Sequence, residues 1–188
     1  MGYALSWAAV KGGSEGSVHK VMGLRATGQS DEIGEADVVG VELDTGWYLV
    51  MFNKQTIDER TLGRLSLLGE VVHCFVEDHV MFSSASGWVA GSPRWSVTHD
   101  CEKGRFHLQV DGQAPPILAS IQGRLTAEQN AAGGEESDTD YMYDIPAELA
   151  RELTGFRHDH DVARAAREPF KVLEPARRKR WKLFTWPL

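Results

Sequence analysis

The chain has 188 residues and a mass of 20.8 kDa, with 42% hydrophobic, 25% charged and 9% aromatic residues. That balance belongs to an ordinary globular domain and excludes a collagen, a coiled coil or a wholly disordered chain. Its 20 basic and 27 acidic side chains leave a formal net charge of −7, which argues against general affinity for nucleic acid.

In chain order, residues 3–10 alternate as a strand with Tyr3, Leu5, Trp7 and Ala9 on one side. The first six residues also fit a myristoylation pattern in form, but a strand explains them without modification. Ser14 is placed to cap a short helix through Val18, Val21 and Met22 that Gly23 ends. Residues 24–37, rich in Gly, Ser and acids, read as a long polar loop. Residues 38–43 and 47–52 flank Asp44-Thr45-Gly46, a hairpin signature. A helical stripe through Leu62, Leu65 and Leu68 stops at Gly69.

Residues 71–76, 80–88, 94–99 and 106–110 are a run of strands with no helix between them, which predicts antiparallel pairing. Ile117, Ile121 and Leu125 begin a further helix, and residues 131–139 are small and acidic, as in a disordered loop. Asp144-Ile145-Pro146 is a helix start, with Asp144 as its cap, and Gly155 is the matching stop. The expected fold is therefore α+β: one antiparallel sheet of about six or seven strands with helices on one face. The C-terminal part should partly cover the open edge. The opening order β-α-β-β-α-β is compatible with a ferredoxin-like half. Residues 1–168 form the expected domain, and residues 169–188 a C-terminal extension.

The charge is unevenly spread. Arg177, Arg178, Lys179, Arg180 and Lys182 are the basic residues after position 175, where no acid occurs. Residues 1–175 therefore keep 15 basic against 27 acidic residues, a net −12, and the tail carries +5. In the tail, Arg178 and Arg180 interleave with Trp181 and Trp186. That pattern suits docking on the acidic body, another protein, or nucleic acid or lipid.

P-loop, G-x-G-x-x-G, H-E-x-x-H, G-x-S-x-G and paired C-x-x-C signatures are absent, so no cofactor is implied. Cys74 and Cys101 are too few for a disulfide framework or zinc knuckle and read as small buried hydrophobes. No stretch approaches the ~20 apolar residues of a membrane span, and a cytoplasmic setting is expected.

Three histidine groupings could carry chemistry. His73, Glu77 and His79 fall on one side of a strand, but at about 13 Å His73 and Glu77 are too far apart to share an ion. His99-Asp100 ends a strand and, with His79, makes a candidate acid–base set. His158 and His160, in Arg157-His158-Asp159-His160-Asp161, are a candidate metal pair. The serines of residues 83–86 would need a base brought from elsewhere. Each grouping also has a plain structural reading: solvated turn, core-edge histidine, or post-helix segment.

Residues 4–12, 79–88 with 96–100, and 140–146 through 155–159 together resemble a group of uncharacterised bacterial proteins. The resemblance spans roughly residues 1–175 and implies a bacterial, cytoplasmic protein without an assigned activity. The acidic body and the missing catalytic signatures favour a protein-binding domain, regulatory or toxin-neutralising in type. The alternative is a hydrolase or metal-dependent enzyme using the His/Asp residues.

Overall fold

The apolar run nearest the N-terminus becomes the middle of the sheet. A computed structural model describes residues 4–160 and 168–176. In it β1 (Ala4–Lys11) pairs antiparallel with β4 (Trp47–Asn53) on one side and β5 (Glu70–Glu77) on the other. The remaining strands are β2 (Leu24–Asp31), β3 (Val38–Glu42), β6 (Phe82–Val89), β7 (Ser92–Asp100), β8 (Gln109–Gly112) and β9 (Phe170–Pro175). Among the described residues they form one nine-stranded sheet in the order β2-β9-β3-β4-β1-β5-β6-β7-β8, every neighbour antiparallel. The fold is α+β, with more strands than the six or seven expected.

The helices are α1 (Glu15–Met22), α2 (Glu59–Leu65), α3 (Ile117–Ala131) and α4 (Asp144–Thr154). They do not share one face. Val18 of α1 and Leu62 and Leu65 of α2 pack with Ala8, Val10, Val50 and Val71 on one side. Leu118, Ile121 and Leu125 of α3 and Ile145 and Leu149 of α4 pack with Trp7, Ala9, Leu49, Val72 and Cys74 on the other. Helical periodicity says that a helix has an apolar stripe, not which side of a sheet receives it. Here β1 decides the matter, because its residues 5–10 are buried on both sides in succession and each side needs a cover.

β4, α2 and β5 form a split unit around β1, as a ferredoxin-like half requires. The other crossover, β1 to β2 through α1, is widened by β3 and β9. β9 accounts for a second departure. The segment from residue 169 does not lie over an edge; its first strand is inserted between β2 and β3.

β2 occupies much of the stretch expected as a loop. Its side chains after Leu24 are exposed, so it lacks the alternation that marks a half-buried strand, and backbone pairing with β9 holds it. As an edge strand it is blunted: the register shifts between Ala26 and Ser30, with Gly28 at φ +87°.

Local signals place most boundaries. Ser14 Oγ accepts from the Ser17 amide, and Gly23 closes α1 in the left-handed conformation. Asp58 caps α2 through the Thr61 amide at 2.9 Å. Gly155, at φ +84°, ends α4. Asp144 is not the cap of α4 but lies in its first turn; the amides before the helix are served by Asp140. No helix among the described residues is long and apolar enough to cross a membrane.

Gly87 of β6 lies beneath the Trp95 indole, which occupies the space a Cβ would need. Gly123 of α3 has open space at the same position. Gly87→Ala is therefore expected to lower stability by about 1–3 kcal/mol, whereas Gly123→Ala should raise it by about 0.5–1 kcal/mol. Urea denaturation of the two variants against the parent measures both signs.

Candidate functional site

His99, expected as an acid–base group, is fully buried on the side of β7 that carries Trp95 and Val97. Its Nδ1 lies 2.8 Å from the His107 carbonyl oxygen and its Nε2 3.2 Å from Asp140 Oδ2. Both nitrogens face oxygens, so the ring is satisfied on both sides only when both donate. Arg105 approaches the same Asp140 oxygen at 3.3 Å and donates to the Ser137 carbonyl at 2.8 Å. Asp140 Oδ1 accepts from the Met142 and Tyr143 amides at 3.1 and 3.2 Å. Burial pushes the Asp140 carboxyl up, but hydrogen bonding and charge from His99, the Tyr143 amide and Arg105 outweigh it and hold the group below its usual range.

This is a fastener, not a reaction centre. It ties β7 to the segment ahead of α4 and leaves no room for substrate. Gln129 completes it, donating to the Gly134 and Thr139 carbonyls at 2.7 and 3.2 Å and accepting from the Tyr141 amide at 2.8 Å. Residues 131–139 are accordingly folded against α3, with a short 3-10 turn at Gly134–Glu136, instead of forming the expected disordered loop.

The other members of the expected acid–base set lie elsewhere. Asp100 belongs to the opposite side of β7, where it accepts from the Glu102 amide and pairs with Lys103 at 3.2 Å. His79 is exposed in the β5–β6 turn, its Nδ1 2.7 Å from Glu77. The serines separate as strand alternation predicts. Ser83 is buried and donates to the Tyr143 carbonyl at 2.6 Å, while Ser84 and Ser86 lie on the other side of β6.

A cleft of about 260 Å³ opens where the β5–β6 turn meets the start of α4, between Asp78, Met81, Tyr143, Asp144, Arg157 and Asp159. Arg157 is its hub. Nε and Nη2 bond Asp159 at 2.7 and 2.9 Å, Nη2 bonds Asp144 at 2.6 Å, and Nη1 bonds Glu148 at 3.0 Å. Burial raises the Asp144 carboxyl, which Arg157 only partly offsets. Asp159 is also pushed up by burial, but its bidentate bond to Arg157 prevails and holds it low. Tyr143 donates to Asp78 at 2.5 Å, and its phenol is raised by burial and by that carboxylate. Cys74 is buried and its thiol is pushed up by burial to about 12, so it is inert at neutral pH.

His158 lines this cleft, and burial lowers it to about 4. His160 is exposed, so the candidate metal pair does not form a ligand set. Among the described residues no group of three or more His, Cys, Asp or Glu is arranged to hold a metal ion.

The second opening lies on the α1–α2 face. Those helices cover the sheet near Val10, Val71 and Trp88. Farther along β5, β6 and β7 the same face presents Phe75, Phe82, Ser84 and Thr98, half-buried. The Phe75 and Phe82 rings stand 5.9 Å apart, and the cross-strand partners of Phe82 are Glu77 and Asp100. Beside Phe75 a cleft of about 440 Å³ is bounded by Ala4, Lys54, Gln55, Thr56 and Glu77. Ser6 fixes its far wall by donating to the Gln55 carbonyl at 2.9 Å. His73 lies on the same side of β5, its Nε2 without a hydrogen-bond partner, and burial lowers it to about 4.

Sequence reasoning found the alternation of β6 but not this surface, because nothing local shows where a helix stops covering a sheet. Asp140 and Arg157 were equally hidden, each appearing only as one member of a charged run. The candidate tail residues Arg178, Arg180, Trp181 and Trp186 lie outside the described residues. Comparison with protein-family models, with curated proteins and with solved structures finds no match to this chain.

Removing the Asp140 carboxylate leaves buried His99 and Arg105 without their counter-charge. Asp140→Ala should therefore cost about 3–5 kcal/mol and speed amide exchange across residues 132–143. The histidines set a second expectation. His73 and His158 resist protonation down to about pH 4 when folded but titrate near 6.5 when unfolded, so unfolding takes up protons in that window. Stability should be fully present above pH 6.5 and fall as the pH drops toward 4. His73→Leu should reduce that slope, as denaturation series at stepped pH would show.

Proposed function

We propose that this chain is a binding domain, regulatory or toxin-neutralising in type, that recognises a basic segment of another protein on the helix-free half of its sheet. The observation that carries this reading is the Phe75–Phe82 pair flanked by Glu77 and Asp100. Aromatic faces beside carboxylates suit Lys and Arg side chains, which stack on the rings while their charge is met at the rim. The −12 of residues 1–175 adds a long-range attraction for such a partner and a salt-sensitive encounter rate.

The enzymatic alternative has less support. His99 is enclosed by His107 and Asp140, and Asp100 and His79 point to different surroundings, so the three share no pocket among the described residues.

Capture from the source cells at low ionic strength provides the test, with the parent compared against a Phe75→Ala/Phe82→Ala variant. The parent should retain a basic protein that salt releases, and the variant should lose it by about tenfold or more. Equal retention by both proteins would overturn the proposal.

A further inference from the structure

We propose that residues 177–188 fold back in cis onto the helix-free half of the sheet, as an internal stand-in for the basic segment of a partner. This inference rests on the binding reading above and adds its regulation: the tail and the partner compete for one surface.

The course of the chain brings the tail to the right edge. Neighbouring strands alternate in direction throughout the sheet, so β9, β4 and β5 all run toward the same edge. β4 ends there at Asn53, just before Lys54, Gln55 and Thr56, and β5 ends at Glu77, so the cleft of about 440 Å³ lies along that edge. The chain leaves β9 at the same level, where Pro175 pairs with Leu24 and the Ala176 amide donates to the Gly23 carbonyl at 2.7 Å.

The tail is also long enough. Four strand spacings separate β9 from β5, about 19 Å. At roughly 3.3 Å per residue, about six extended residues bridge that distance. The remaining half of the tail then lies over β5 and β6.

That half has matching chemistry. Trp181, Phe184 and Trp186 alternate with basic residues, and no acid occurs among residues 177–188. Phe75, Phe82 and the adjoining cleft offer aromatic and apolar contact, while Glu77 and Asp100 offer carboxylates at its rim. A cleft of this volume is within the range that accepts aromatic groups. Attachment in cis adds effective concentration without any new contact, so individually weak contacts suffice.

The test uses the full chain, with Trp181→Ala and Trp186→Ala introduced together and a synthetic peptide of residues 177–188 as the probe. The peptide should bind the tail-substituted chain at least tenfold more tightly than the parent, whose own tail competes. Amide and ring signals of Phe75, Glu77 and Phe82 should shift on binding, and adding Phe75→Ala/Phe82→Ala should abolish it. Equal binding to parent and tail-substituted chain, no binding to either, or shifts confined to another surface would overturn the inference. A dimer of the parent that the tail substitutions dissolve would overturn it too, since the tail would then act in trans. Capture of a basic partner through Phe75 and Phe82, unchanged by the tail substitutions, would sink this inference and leave the binding reading intact. Capture indifferent to Phe75 and Phe82 would sink the reading itself.

Discussion

β1 is apolar on both sides, and the rest of the structure answers to that constraint. Leu5, Trp7 and Ala9 face one side while Ala8 and Val10 face the other, all buried. A central strand of this kind is stable only between two layers, each of which removes apolar surface from water. The first layer comes from the α1 and α2 crossovers. The second comes from α3, α4 and the Phe156 that follows α4, whose ring meets the Trp7 indole edge-on at 5.3 Å. Phe170 of β9 continues that layer at 6.5 Å from Phe156, so the last strand joins the same core as the first.

Two charged centres position α4 within this frame. Asp140, with His99 and Arg105, holds the segment entering the helix, and Arg157 gathers Asp144, Glu148 and Asp159 along and beyond it. Buried ions of this kind are weak sources of net stability but costly to break singly, because the abandoned partner stays desolvated. They confer location more than strength. α4 carries few other polar ties to the sheet; Thr45 donating to the Thr154 carbonyl is one.

The same arrangement explains why the richest cluster of shifted titratable groups need not be a reaction centre. Around Arg157 each carboxylate is committed to the guanidinium, so the shifts arise from an ion-pair network that structure alone requires. The helix-free half of the opposite face differs in kind. Its aromatic rings are half-buried and adjacent, and its carboxylates stand at the rim. That makes it the stronger candidate for recognition, although its sequence signature is only a run of serines between two aromatics.

What the sequence by itself determined are the features written over a few residues. The hairpin at Asp44-Thr45-Gly46, the Ser14 cap, the Gly23 and Gly155 stops and the alternation of Phe82, Ser84, Ser86 and Trp88 all depend on neighbours along the chain. The antiparallel class followed from strands in succession without helices between them. Tertiary structure alone decided which face each helix covers, that polar residues 24–31 form an edge strand, and that β9 enters the sheet between β2 and β3. It also decided that Asp140, the last member of an acidic run, is the buried partner of a histidine 41 residues away. Strand order and the burial of a charge are set by groups distant in sequence, and composition and periodicity hold no record of which distant groups will meet.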